Sequence, residues 1–152
     1  AAAWSAASRL DLPKTVEPSN KAGPSRAGMK LVEVFARQPK IVPPSGSIAL
    51  DAGASPGGWS YVLSGYCKEV VAVDPGSLHP DMPANVTHLP CKLEKAELGD
   101  RELAFVASDM NVAVEDLFDL VLAPLKPLPP RVVLTSKCMR SFAPRKEDAK
   151  WI

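Results

Sequence analysis

The sequence predicts an α/β fold, a mostly parallel sheet with helices on both faces, and three observations predict it. Short apolar runs of strand character alternate along the chain with segments of helical periodicity. The glycine-rich stretch Asp51–Trp59 follows directly on the first of these runs, where a strand hands over to a helix. A second run, Val70–Val73, holds only β-branched and small apolar residues and ends at Asp74, the pattern of a strand covered on both faces. A chain of 152 residues, 46% hydrophobic and 23% charged, suits one domain with its own core. At this size folding hides roughly 68–70% of the surface that the unfolded chain exposes, so neither disulfides nor metal are required.

The elements follow in order. Residues 1–24 contain Pro13, Pro18, Gly23 and Pro24 without apolar periodicity and read as an irregular arm, leaving residues 25–152 as the domain. Ser25 is placed to cap a helix in which Ala27, Leu31, Val34 and Phe35 form a buried stripe, with Arg26, Lys30, Glu33 and Arg37 on another face. Pro39, Pro43, Pro44 and Gly46 end it, and Ile48, Ala49 and Leu50 lead as a short strand into Asp51. Trp59–Leu63 begins the next helix, Val70–Val73 is the second strand, and Pro75 and Gly76 stop it. Asn85–Leu89 is the third strand, and Leu103–Ala107 the fourth, running out at Ser108 and Asp109. A helix over Val112–Leu122 turns Val114, Leu117 and Val121 inward. The prolines of Pro124–Pro130 make a stiff connector to a fifth strand, Arg131–Thr135. In such a sheet ligands bind beyond the carboxyl ends of the strands.

Composition narrows the function. Cys67, Cys91 and Cys138 are odd in number and widely spaced, which argues against a disulfide framework or a zinc site and for a reducing compartment. No run approaches the roughly 18 to 20 apolar residues of a membrane span, so a soluble protein without membrane contact is expected. Cytoplasm is the expected location; the alanine- and serine-rich start, with its single Arg9, leaves an organelle open. Net charge is only +1, yet residues 1–50 carry seven Lys/Arg against three Asp/Glu and residues 131–152 carry six against two. Brought together, two basic ends would form a face that attracts a phosphate backbone; a solvated surface is the plainer reading.

The chemistry concentrates at strand ends. Gly53 lets the backbone turn tightly against a ligand, while Gly57 and Gly58 are read as keeping the next helix N-terminus clear for a polar ligand. The pattern is not the GxGxxG of hydride-transfer enzymes. Asp74 lies 21 positions after Gly53, near the offset of roughly 20 at which an acid takes the ribose hydroxyls of a bound nucleoside. His79 and His88 have no partners at metal-ligand spacing and read as structural or surface residues, and no metal is expected.

Pro24-Ser25-Arg26-Ala27-Gly28-Met29-Lys30-Leu31, Gly53–Trp59, Val73-Asp74-Pro75-Gly76 and Ser108-Asp109-Met110 resemble FtsJ-like RNA methyltransferases in order and spacing. Val86-Thr87-His88-Leu89 and the VLTSK strand make the chain most similar to the branch that contains ribosomal RNA large subunit methyltransferase M. The resemblance covers residues 24–146. It implies a Rossmann-like S-adenosylmethionine-dependent methyltransferase fold and methyl transfer to ribose 2′-hydroxyls of RNA, ribosomal RNA first. It also implies a Lys-Asp-Lys-Glu constellation, whose first three members fall on Lys30, Asp109 and Lys137. Lys137 would take the 2′-hydroxyl proton while Asp109 and Lys30 orient lysine and hydroxyl. S-adenosylmethionine would lie against Gly53, Ala54, Pro56, Gly57, Gly58, Trp59, Asp74 and Asp109.

Three departures accompany the resemblance. No residue matches the fourth position, since Glu147 comes too early, and the sheet is expected to be shortened at its C-terminal side, with a protein partner covering the edge. The stretch where the family often has an acid near the adenine reads Cys91-Lys92. Residues 1–152 are not expected to include the separate N-terminal RNA-binding domain of that branch. An inactive nucleoside- or RNA-binding module of the same fold is therefore the alternative function.

Overall fold

The computed structural model describes residues 24–135. The expected arm, apart from its last residue, and everything beyond Thr135 lie outside that range.

Five strands, β1 (Ile48–Ala52), β2 (Glu69–Val73), β3 (Val86–Leu89), β4 (Leu103–Ser108) and β5 (Val132–Leu134), form one sheet. Their order is β3-β2-β1-β4-β5 and every neighbouring pair is parallel. Among the described residues three α-helices pack on it: α1 (Gly28–Arg37), α2 (Gly58–Ser64) and α3 (Val114–Leu117), which runs on as a π-helical turn over Phe118–Leu122. Among the described residues no helix is long and apolar enough to cross a membrane.

The two-residue period of a strand divides the sheet's side chains between two cores. Ala49, Val70 and Phe105 enter one cluster with Leu31, Val32 and Phe35 of α1 and Trp59, Val62 and Leu63 of α2. Their neighbours Leu50, Val71 and Val106 enter the other with Leu117, Val121 and Leu125. β1 and β2 are buried on both faces, which explains their unbroken apolar sequence. On α1, Leu31, Val32 and Phe35 face inward while Lys30, Glu33 and Arg37 stay exposed. Phe35 meets Tyr66 and Phe105 edge to face, with ring centroids 5.2 and 5.8 Å apart.

The structure corrects the expected elements in three places. α1 begins at Gly28, not directly after Ser25; the Ser25 hydroxyl instead accepts from the Ala27 amide at 3.3 Å and opens a turn that feeds the helix. The helix expected over Val112–Leu122 starts at Val114 and widens to π geometry in its second half. Strands and helices do not alternate strictly: β2 passes to β3, and β3 to β4, without an α-helix. Pro75, Pro80, Pro83 and Pro90 lie in these connections and remove the amide donors and backbone freedom that a helix there would need.

From β1 the chain builds outward through β2 to β3, then returns to the other side of β1 for β4 and β5. The crevice opens where the order reverses, between the carboxyl ends of β1 and β4, at the paired residues Ala52 and Ser108.

Candidate active site

The turn after β1 is tied down by its own backbone. The amides of Gly53 and Ala54 both donate to the Val73 carbonyl, at 2.9 and 3.3 Å, binding the turn to the end of β2. Gly53 (φ 77°) and Gly57 (φ 109°) hold left-handed conformations that side-chain-bearing residues rarely adopt. A β-carbon on Gly53 would run into the Met110 side chain, and one on Gly57 would lie 2.8 Å from Met82 Sδ. Two methionines from neighbouring loops thus close over the two left-handed glycines.

Gly58 also has a packing role that the sequence does not announce. A β-carbon there would strike Ser25 Oγ and lie 3.0 Å from the Gly28 amide, and one on Gly28 would lie 2.8 Å from the Gly58 carbonyl. The glycine pair lets the first turns of α1 and α2 touch, which sets the position of Lys30 two residues further along α1. Trp59 completes that contact: its indole is buried at 3% exposure and donates to the Ala27 carbonyl at 2.8 Å. Its side chain therefore belongs to the core between the helices.

Asp74 closes the loop after β2. Its Oδ1 accepts the Gly76 amide at 2.6 Å and its Oδ2 accepts the Ser55 amide at 3.1 Å, stitching the two strand-end loops together. The Ser55 hydroxyl, donating to the Ser77 carbonyl at 2.8 Å, and the His79 amide, donating to the Pro56 carbonyl at 3.0 Å, reinforce the seam. His88 reaches the Asp74 carbonyl with Nε2 at 3.0 Å. Each carboxylate oxygen of Asp74 retains a further lone pair after its amide bond.

Lys30 and Asp109, 79 positions apart in sequence, meet across the crevice with Nζ 2.8 Å from Oδ1 and 2.7 Å from Oδ2. The Thr135 hydroxyl donates to the same Oδ1 from the end of β5. Lys137, the other expected catalytic lysine, lies outside the described residues. Neither the cleft of about 570 Å³ between α1 and β5 nor that of about 610 Å³ at the amino ends of the strands is lined by any of the expected site residues. Among the described residues no group of three or more His, Cys, Asp and Glu gathers as a metal site would require.

Asp51, which in the sequence only leads into the glycines, is a further candidate that the structure adds. The residue is 1% exposed and accepts both the hydroxyl of Ser60, at 2.6 Å, and its backbone amide. Burial pushes its carboxyl up to about 7; the bonds from Ser60 pull it down, and the carboxylates of Asp109 and Asp74 push it up again. The signal was present as an acid in an otherwise apolar strand, since such a residue is rarely buried without a partner. Asp74 and Asp109 bring carboxylates to the carboxyl edge of the sheet, where Lys30 pairs with Asp109, while Asp51 stays buried.

The sequence pattern that describes FtsJ-like methyltransferases matches residues 24–127. Ribosomal RNA large subunit methyltransferase M of Methylococcus capsulatus is 38% identical to this chain over 86 residues, 53% of the chain and 22% of that protein. The chain thus spans about a fifth of that relative's length. Two solved structures are similar in fold. A candidate hemolysin of Lactococcus lactis has a TM-score of 0.51 at 26% identity, covering 69% of this chain and 52% of that one. Its counterpart from Streptococcus thermophilus has a TM-score of 0.56 at 23% identity, covering 74% of this chain and 42% of that one.

Proposed function

The chain belongs to the FtsJ-like methyltransferase family, and from that premise we propose that it moves a methyl group from S-adenosylmethionine to a ribose 2′-hydroxyl of RNA, with ribosomal RNA the expected substrate. The observation that carries this reading is the Lys30–Asp109 contact at the carboxyl edge of the sheet, 79 positions apart in sequence and joined in one crevice.

The residues present fit S-adenosylmethionine on two counts. Asp74 keeps lone pairs for ribose hydroxyls while its amide bonds hold it in place. Asp74 also brings a carboxylate charge to the loops at the crevice, which favours a cationic ligand. When bound, the cofactor supplies an electrophilic methyl group on a sulfonium. Gly53, Ala54, Pro56 and Gly57 would border it through backbone, as would Gly58 and Trp59, whose side-chain positions are taken up by helix packing. Asp109 would sit between cofactor and RNA.

Lys30 holds its ammonium on Asp109, where it can donate to the attacking ribose oxygen. Lys137 is assigned as the base, and it needs a deprotonated amine, which desolvation and a nearby cation such as Lys30 favour. Holding hydroxyl and methyl in near-attack geometry supplies most of the remaining acceleration, up to about 7–11 kcal/mol for well-oriented groups.

The test is methyl transfer by the full chain, using S-adenosylmethionine with a labelled methyl group and unmodified large-subunit ribosomal RNA, followed by digestion to nucleosides. Label is expected in 2′-O-methylated nucleosides and is expected to vanish with Lys137→Ala. Label on a base would overturn the ribose assignment, and label that survives Lys137→Ala would overturn the assignment of that lysine.

A further inference from the structure

We propose that Thr135 is the positioning residue that fixes the carboxylate of Asp109, and through it the ammonium group of Lys30, relative to the sheet. The functional consequence rests on the methyl-transfer reading; the positioning itself does not.

The need for such a residue follows from what surrounds Asp109. Lys30 approaches from α1 with a side chain 48% exposed, carrying three rotatable donors on a flexible stem. A pair so exposed holds its partners only loosely. Asp51 lies near Asp109 from β1, and in its ionised form it repels that carboxylate instead of holding it. Neither neighbour sets the plane of the carboxylate.

Thr135 can set it. Its hydroxyl donates to Asp109 Oδ1. Its own amide donates to the Ser108 carbonyl at 2.9 Å, one residue past the paired positions Ser108 and Leu134 of β4 and β5. A β-branched side chain is stiff at χ1, so the hydroxyl is referenced to the sheet. The carboxylate is then oriented from the sheet side by Thr135, leaving its outer edge to take Lys30 through both oxygens. Thr135 also stands two positions before Lys137 in sequence.

The experiment is a double-mutant cycle in the full chain, comparing Thr135→Val with and without Asp109→Ala by urea unfolding. Thr135→Ser tests rescue, and Thr135→Ala runs alongside as a second hydroxyl-free variant should valine disturb the strand. Removing the hydroxyl is expected to lower the folding equilibrium constant about tenfold while Asp109 is present and less than about twofold once it is gone. Serine should restore the original value. In chains labelled with 15N-lysine, the Lys30 ammonium signal should keep the parent's chemical shift in Thr135→Ser and move in Thr135→Val. Equal losses in both backgrounds, or no rescue by serine, would overturn the proposal. In the turnover assay, Thr135→Val should lower kcat about tenfold with the KM for S-adenosylmethionine unchanged. If the cycle shows coupling while the parent chain transfers no methyl group, the positioning stands and the methyl-transfer reading falls.

Discussion

The hydroxyl of Ser60 donates to Oδ2 of Asp51 at 2.6 Å, so the penultimate residue of β1 holds the first turn of α2. The carboxylate thereby ties together both ends of the glycine turn, residues 53–57, from beneath. It sits at the amino end of a helix, where the unpaired amides favour negative charge, yet it is fully buried, where charge is costly. Burial prevails and the carboxyl titrates near neutrality.

That titration has a sign. Asp51 is raised from 3.8 in the unfolded chain to about 7 in the folded one, so between those values the folded state keeps a proton that the unfolded state has released. The contribution to stability is complete below about 4, falls as pH rises to about 7, and is level above that. Asp51→Asn cannot titrate and should lack this slope. Urea unfolding at intervals from pH 4 to 8 should show the parent losing stability relative to Asp51→Asn across that window; parallel curves would refute the assignment.

A second outcome concerns the glycine contact between α1 and α2. Gly28→Ala places a β-carbon 2.8 Å from the Gly58 carbonyl, a backbone atom that cannot swing aside. Overpacking of this kind costs about 1–3 kcal/mol. Thermal unfolding should show that loss, and methyl transfer should fall as well, because α1 carries Lys30. Gly46→Ala is the control for strain without crowding: Gly46 has φ 76° and nothing within 4 Å of the added carbon.

Lys30 separates stability from chemistry. Its side chain is 48% exposed, so loss of its pair with Asp109 should change stability by less than about 1 kcal/mol. Misplacing a reacting group by about 1 Å can cost on the order of 100-fold in rate. Lys30→Met should therefore unfold at nearly the parent's urea midpoint while losing on the order of 100-fold in methyl transfer. A variant as active as the parent would remove Lys30 from the reaction.

The parallel strands were legible because burial on both faces leaves an unbroken apolar run, as in Val70–Val73, and four of the five observed strands end within one residue of the expected position. The fourth strand ends at Ser108, one residue beyond Ala107, and the fifth is shorter at both ends than the expected Arg131–Thr135. The widening at Phe118–Leu122 was not legible, since a π turn preserves the apolar spacing of Leu117 and Val121. Gly58 was legible as special, but its packing role was not, because the atoms it must clear belong to Ser25 and Gly28, some thirty positions earlier. Asp51 and Thr135 escaped notice for a related reason. Each acts through a partner, Ser60 or Asp109, that only the closed sheet brings within hydrogen-bond distance.

Calorimetric titration of the full chain with S-adenosylmethionine, repeated with Asp74→Ala and with NAD in place of the cofactor, tests the central claim most directly. Micromolar binding of S-adenosylmethionine, lost in Asp74→Ala and absent for NAD, is the predicted result. A folded chain that binds no S-adenosylmethionine, or binds it equally well without the Asp74 carboxylate, would contradict the account.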